Sequence, residues 1–122
     1  MLNSAMCGRK TLSRNIKSII EEMNIEEWQD SDLYQPGYNI APSQYSPVIV
    51  DKVVRHAKLM RWGLIPNWAT DLSIGSKLIN ARSETLLQKP SFQNLVPSRR
   101  CVVISDGYFE WKRTSGRSIP YY

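Results

Sequence analysis

The sequence predicts an α+β domain, mainly antiparallel β with a helix near its start. Three observations carry that expectation. Leu12, Ile16, Ile19, Ile20 and Met23 recur at the spacing of one helix face. Short strand-like runs follow at 48–54, 58–62, 101–105 and 108–112. The chain has 122 residues, 42% hydrophobic and 22% charged, which fits one folded domain and argues against disorder.

In chain order, Thr11 or Ser13 can cap the start of the helix and Asn24 lies near its end. Residues 31–47, rich in Pro, Gly, Ser, Asn and Tyr, read as an ordered loop. The strands at 48–54 and 58–62 join near Arg55-His56, and 63–71, with Pro66, forms a second loop. The turn pair Asp106-Gly107 separates the last two runs. The final residues, Ile119-Pro120-Tyr121-Tyr122, are strand-like, so we expect a C-terminally truncated sheet with an exposed edge. No repeat, low-complexity tract or interdomain linker interrupts the chain.

The longest aliphatic runs, such as Cys101-Val102-Val103-Ile104, fall far short of the ~20 residues a membrane span needs. No apolar stretch behind a basic one marks a signal peptide at the N-terminus. Cys7 and Cys101 form no CxxC pair and have no neighbouring His, which argues against structural zinc and a disulfide framework. We therefore expect a cytoplasmic protein with reduced thiols, no membrane contact, no metal and no cofactor.

The net charge is +5, and it is unevenly placed. Residues 1–60 carry seven basic and seven acidic side chains, whereas 61–122 carry nine and four. A basic surface draws phosphates before any specific contact forms; the alternative is a solvated face without a partner.

Among residues able to do chemistry, Cys7 follows Met6 directly. If translation starts at Met6, or a leader is trimmed there, Cys7 presents a thiol and a free α-amine on adjacent carbons. The amine, with a reference pKa of ~7.7–8.0, can attack an aldehyde, and the thiol can then close a thiazolidine ring. Otherwise Cys7 is a buried thiol behind an extension. Glu110 stands between Phe109 and Trp111 on a strand-like run. Apolar neighbours there would raise its pKa and suit it to proton transfer, unless it turns outward to Lys112 or Arg113. Asn80 and Arg82 share a face if 78–85 is extended, and are ordinary surface if it is helical. In Arg61-Trp62-Gly63-Leu64-Ile65-Pro66-Asn67-Trp68, Trp62 suits a core role and Trp68 suits stacking on unpaired bases.

Taken in order, five segments resemble the SOS-response-associated peptidase (SRAP) family of abasic-site processing proteins. They are Met6-Cys7-Gly8-Arg9, Tyr38-Asn39-Ile40-Ala41-Pro42, the 61–68 segment, Ile79-Asn80-Ala81-Arg82-Ser83-Glu84, and Asp106-Gly107-Tyr108-Phe109-Glu110-Trp111-Lys112. The resemblance covers residues 6–122, with 1–5 an extension ahead of Met6. It implies a barrel-like, mostly antiparallel β fold with flanking helices and a groove for single-stranded DNA. It further implies that Cys7, once N-terminal, crosslinks to the aldehyde of an abasic site, with self-processing peptidase activity exposing it. By the same carry-over Asn80 orients the reacting groups, Glu110 is the acid/base, and Arg9, Asn39, Pro42, Trp68 and Arg82 contact DNA. The partner would be single-stranded DNA containing abasic sites, bound by a monomer associated with the nucleoid.

The sequence departs from the family pattern at three places. Residues 1–6 precede Cys7, Ala69 follows Trp68 where some members carry a second aromatic, and the family's catalytic His lies beyond the matched half. His56 matches no such position and reads as a surface residue. Truncation would then impair the activity. The alternatives are an N-terminal-nucleophile peptidase or amidohydrolase using Cys7, and a non-catalytic DNA-binding remnant.

Overall fold

The computed structural model describes residues 7–50 and 53–122; the 1–5 extension and Met6 lie outside the described residues. The first strand, β1 (Arg9–Leu12), takes Leu12 out of the predicted helix, and α1 spans Ile16–Met23. Capping explains the shift. Asn15 is the N-cap, its side-chain oxygen accepting from the Ser18 N–H at 2.9 Å. Thr11 and Ser13, the expected caps, instead donate to the Asp106 carboxylate. Asn24 ends the helix as expected, in the left-handed region at φ 49°.

The stretch 31–47 is not a single loop. It contains a 3-10 turn (Ser31–Leu33), β3 (Gly37–Ile40) and the start of β4 (Tyr45–Ile49). Its composition suits an edge: β3 is the outer strand of its sheet, where Gly and Asn cost less. Pro47, which has no N–H to offer, lies one residue before Val48 and Ile49, through which β4 pairs with Val103 and Val102.

Among the described residues the strands form two four-stranded sheets. One has the order β3-β1-β7-β8, with β7 at Gly107–Thr114 and β8 at Arg117–Tyr121. The other runs β2-β5-β4-β6, with β2 at Glu27–Trp28, β5 at His56–Arg61 and β6 at Val102–Val103. Among the described residues all pairings are antiparallel except the short β2–β5 ladder. The α+β, mainly antiparallel class is as predicted.

Asp106-Gly107 separates two strands as expected, but those strands do not pair with each other. β6 pairs with β4 and β7 pairs with β1, so the dipeptide carries the chain between sheets. Asp106 locks this crossing by accepting from the Ser13 N–H at 2.6 Å and donating its own N–H to Thr11 at 3.1 Å. Partial desolvation pushes its carboxyl pKa up, but the bonds from Thr11 and Ser13 outweigh it and hold the pKa below the usual range. β7 does form a hairpin, with β8, through Ser115-Gly116, both at positive φ, as a two-residue type I′ turn requires.

The core draws on both sheets and α1: Leu12, Ile19, Ile25, Tyr34, Ile40, Ala57 and Ile104 are buried together. Burying a large apolar side chain of this kind stabilises the fold by about 1.5–3 kcal/mol. Tyr34 reaches through this core to donate its hydroxyl to the Arg14 carbonyl at 2.7 Å, tying the β1–α1 link inward. Among the described residues no helix is long and apolar enough to cross a membrane.

Candidate active site

One cavity of about 1110 Å³ is lined by Cys7, Asn80 and Glu110, which the chain supplies from three distant stretches. Register explains how Glu110 arrives there. Lys10 on β1 pairs with Tyr108 on β7, so strand alternation sends Lys10, Tyr108 and Glu110 to one face. Phe109 and Trp111 turn to the other face, where Phe109 meets Tyr122 at 5.1 Å between ring centroids. The two aromatics flank Glu110 in sequence but do not enclose its carboxylate. Glu110 is half-buried, and among the described residues neither Lys112 nor Arg113 forms an ion pair with it.

Asn80 is placed by the motif upstream of it. Beyond β5 the chain turns at Gly63, and the Leu64 N–H donates to the Leu78 carbonyl at 2.9 Å. The Trp62 indole N–H donates to the Ile79 carbonyl at 2.9 Å. These bonds hang residues 78–80 beside the N-terminal segment, and Asn80 Nδ2 donates to the Cys7 carbonyl at 2.9 Å. The half-buried Cys7 thiol donates to the Arg9 carbonyl at 3.3 Å. Trp62 packs against the core as expected, and in addition it positions Asn80.

Several site residues went unread in the sequence. Lys10 is buried, donates Nζ to Ser46 Oγ and the Ile104 carbonyl, and lines the cavity. Burial lowers its pKa to about 8, against the opposing pull of Asp106 and Cys7. The signal for it was alternation with buried Leu12, which places Lys10 on the inward face of a strand. Lys58, Arg61 and Arg99 also line the cavity, so among the described residues four cations face one carboxylate and favour an anionic ligand. Cys101 contributes a second thiol; the residue is exposed overall, yet desolvation pushes its thiol pKa up.

The residues carried over as DNA contacts do not line this cavity. Arg9 turns to the face opposite Lys10 and donates to Asn39 Oδ1 at 3.0 Å. Pro42 sits in the β3–β4 turn, which the Ser43 N–H ties to the Trp62 carbonyl at 2.8 Å. Trp68 is 57% exposed on its loop, beside Asp71 and Lys77. Arg82 is exposed in an irregular stretch, neither strand nor helix, whereas Asn80 points to Cys7. His56, expected at the surface, is half-buried 3.7 Å from Glu27. Among the described residues no cluster of three His, Cys, Asp or Glu side chains could hold a metal ion.

The family model described as SOS response associated peptidase (SRAP) matches residues 6–122. Over 117 residues the chain is 48% identical to the abasic site processing protein YoqW of Bacillus subtilis, covering 94% of this chain and 52% of that protein. It is 39% identical over 106 residues to the abasic site processing protein HMCES of Xenopus tropicalis, covering 76% of this chain and 32% of that protein. The chain thus spans about half the length of YoqW. A crystal structure of a protein from Bacteroides thetaiotaomicron aligns with a TM-score of 0.80 at 25% identity, over 95% of this chain and 53% of that one.

Proposed function

The chain belongs to the SOS response associated peptidase (SRAP) family, and on that premise we propose that it processes abasic sites by crosslinking Cys7 to their aldehyde. What carries the reading is the meeting of Cys7, Asn80 and Glu110 in one cationic cavity, with Asn80 bonded to the Cys7 backbone. When Cys7 is N-terminal, its α-amine adds to the aldehyde carbon of the ring-opened deoxyribose. Glu110 protonates the departing hydroxyl, water leaves, and an imine remains. The Cys7 sulfur then bonds the imine carbon and its proton passes to the nitrogen, closing a thiazolidine. Asn80 fixes the Cys7 carbonyl, and with it the direction of amine and thiol.

The same thiol suits the step that exposes the amine. Attack of Cys7 Sγ on the carbonyl of the preceding residue moves the acyl group from nitrogen to sulfur. Hydrolysis of that thioester releases the leader and frees the α-amine. Exposed Trp68 offers a stacking platform for unpaired bases, while Arg9, Asn39, Pro42 and Arg82 supply backbone contacts, so the preferred ligand is single-stranded DNA. We place this activity in a monomer acting on cytoplasmic DNA.

The test compares a chain matured to begin at Cys7 with one retaining residues 1–6, on single-stranded DNA carrying one abasic site. The matured chain should give a heat-stable crosslink that Cys7→Ala abolishes. Equal crosslinking through Cys7 by the form retaining residues 1–6 would overturn the mechanism.

A further inference from the structure

We propose that Lys10 is a second aldehyde-capturing amine of this site, able to form an imine through Nζ with a phosphorylated sugar aldehyde. The proposal takes its substrate class from the function proposed above but requires nothing of the Cys7 amine.

The geometry singles out Lys10 among the described lysines. It is a buried residue, 6% exposed, that lines the same cavity as Cys7 and Glu110. Ser46 Oγ and the Ile104 carbonyl accept from Nζ and hold it in place. Neither acceptor is a carboxylate, and among the described residues no ion pair pins the amine in its charged form. The cavity exceeds the ~300–1,000 Å³ usual for small-molecule sites, leaving space for a sugar phosphate. Lys58, Arg61 and Arg99 supply positive charge for the phosphate.

Charge state favours the chemistry too. Burial lowers the Lys10 pKa to about 8, so at pH 7 roughly one amine in ten is neutral. An ordinary exposed lysine is neutral in only about one case in several thousand at that pH. The neutral Nζ bonds the aldehyde carbon, and the oxygen takes a proton to give a carbinolamine. The carbonyl oxygen then leaves as water with both amine hydrogens, and a C=N bond remains. Nothing is oxidised or reduced, and Glu110 on the same cavity-facing side is placed to relay the proton.

The test treats the 122-residue chain with 2-deoxyribose 5-phosphate and cyanoborohydride at pH 7, then maps the reduced adducts by peptide mass spectrometry. Lys10 should be labelled faster than exposed Lys17 or Lys112 by on the order of 10²-fold, and denaturation in urea should erase that preference. The Met1 α-amine falls on a different peptide. Lys10→Arg should keep the charge and lose the adduct. Labelling of native Lys10 no faster than Lys17 overturns the proposal, whether or not the variant folds. A matured chain that fails to crosslink abasic DNA through Cys7, with Lys10 still labelled selectively, defeats only the Cys7 reading. A Cys7 crosslink with no Lys10 label defeats only this one.

Discussion

Gly63 and Gly75 pack backbone against backbone: a Cβ on Gly63 would stand 2.3 Å from the Gly75 carbonyl oxygen. Gly63 also lies at φ 121°, a conformation that side chains disfavour. This contact lets the 62–64 turn lie against 74–78 and hold Asn80 near Cys7. Gly63→Ala should therefore cost at least about 2 kcal/mol in urea unfolding and also slow Cys7 crosslinking. Gly116→Ala is the control. Its φ is 80°, but a Cβ there meets none of the described residues within 4 Å, so about 1 kcal/mol of backbone strain should be the whole effect.

That dependence shows what the sequence could and could not convey. Helix periodicity located the buried face of α1, and Cys7, Asn80 and Glu110 stood out by residue type and motif. Their shared cavity depends on long-range contacts, the register of Lys10 against Tyr108 and the bond from the Trp62 indole to the Ile79 carbonyl, which no local pattern encodes. Lys10 was hidden because a lysine after an arginine reads as surface, although alternation with Leu12 turns it inward. Thr11 and Ser13 looked like helix caps because the competing acceptor, Asp106, is remote in sequence.

Asn80→Asp tests the positioning of Cys7. An aspartate matches the shape but cannot donate to the Cys7 carbonyl. The single-turnover crosslinking rate should fall by about 10²-fold, the usual penalty for misplaced reacting groups. Melting should change little, since one partly buried hydrogen bond contributes about 0.5–1.5 kcal/mol. Loss of folding in step with loss of rate would make Asn80 a structural residue instead.

Lys10 should also leave a signature in stability against pH. Its folded pKa of about 8 lies below the ordinary 10.5, so between those values the unfolded chain holds more protons. Stability should accordingly rise from pH 8 to about 10.5, with the full penalty for burying the ammonium present below pH 8. Lys10→Met removes the titrating group. The Tm difference between the parent chain and this variant should shift in favour of the parent across that window. A difference independent of pH would mean that Lys10 titrates as an exposed lysine.

The Asp106 clamp titrates in the opposite sense. Its folded carboxyl pKa is depressed, so its contribution is complete above the unfolded value near ~3.9 and is lost as pH falls through the lower folded value. Asp106→Ala should destabilise the chain by about 1–2 kcal/mol at pH 7, allowing for solvent screening of an exposed carboxylate. The gap should narrow as the solution is acidified below pH ~4, because the parent then loses the same interaction. Denaturant melts of both chains across that range would read it.

Binding and chemistry should separate at Trp68. This side chain is 57% exposed and lies outside the cavity that holds Cys7 and Glu110. If it stacks an unpaired base, Trp68→Ala should weaken single-stranded DNA binding by about 1–3 kcal/mol without altering the salt dependence. Arg82→Gln should behave differently. If Arg82 contacts a phosphate, its loss flattens the plot of log K against log salt by ~0.7, with a smaller loss at high salt than at low salt. At saturating DNA both variants should crosslink at the parent rate, because Cys7, Asn80 and Glu110 remain in place. Fluorescence titrations at several salt concentrations, paired with single-turnover crosslinking, separate the two effects. A crosslinking rate that falls with Trp68→Ala even at saturation would place the indole in the reaction itself.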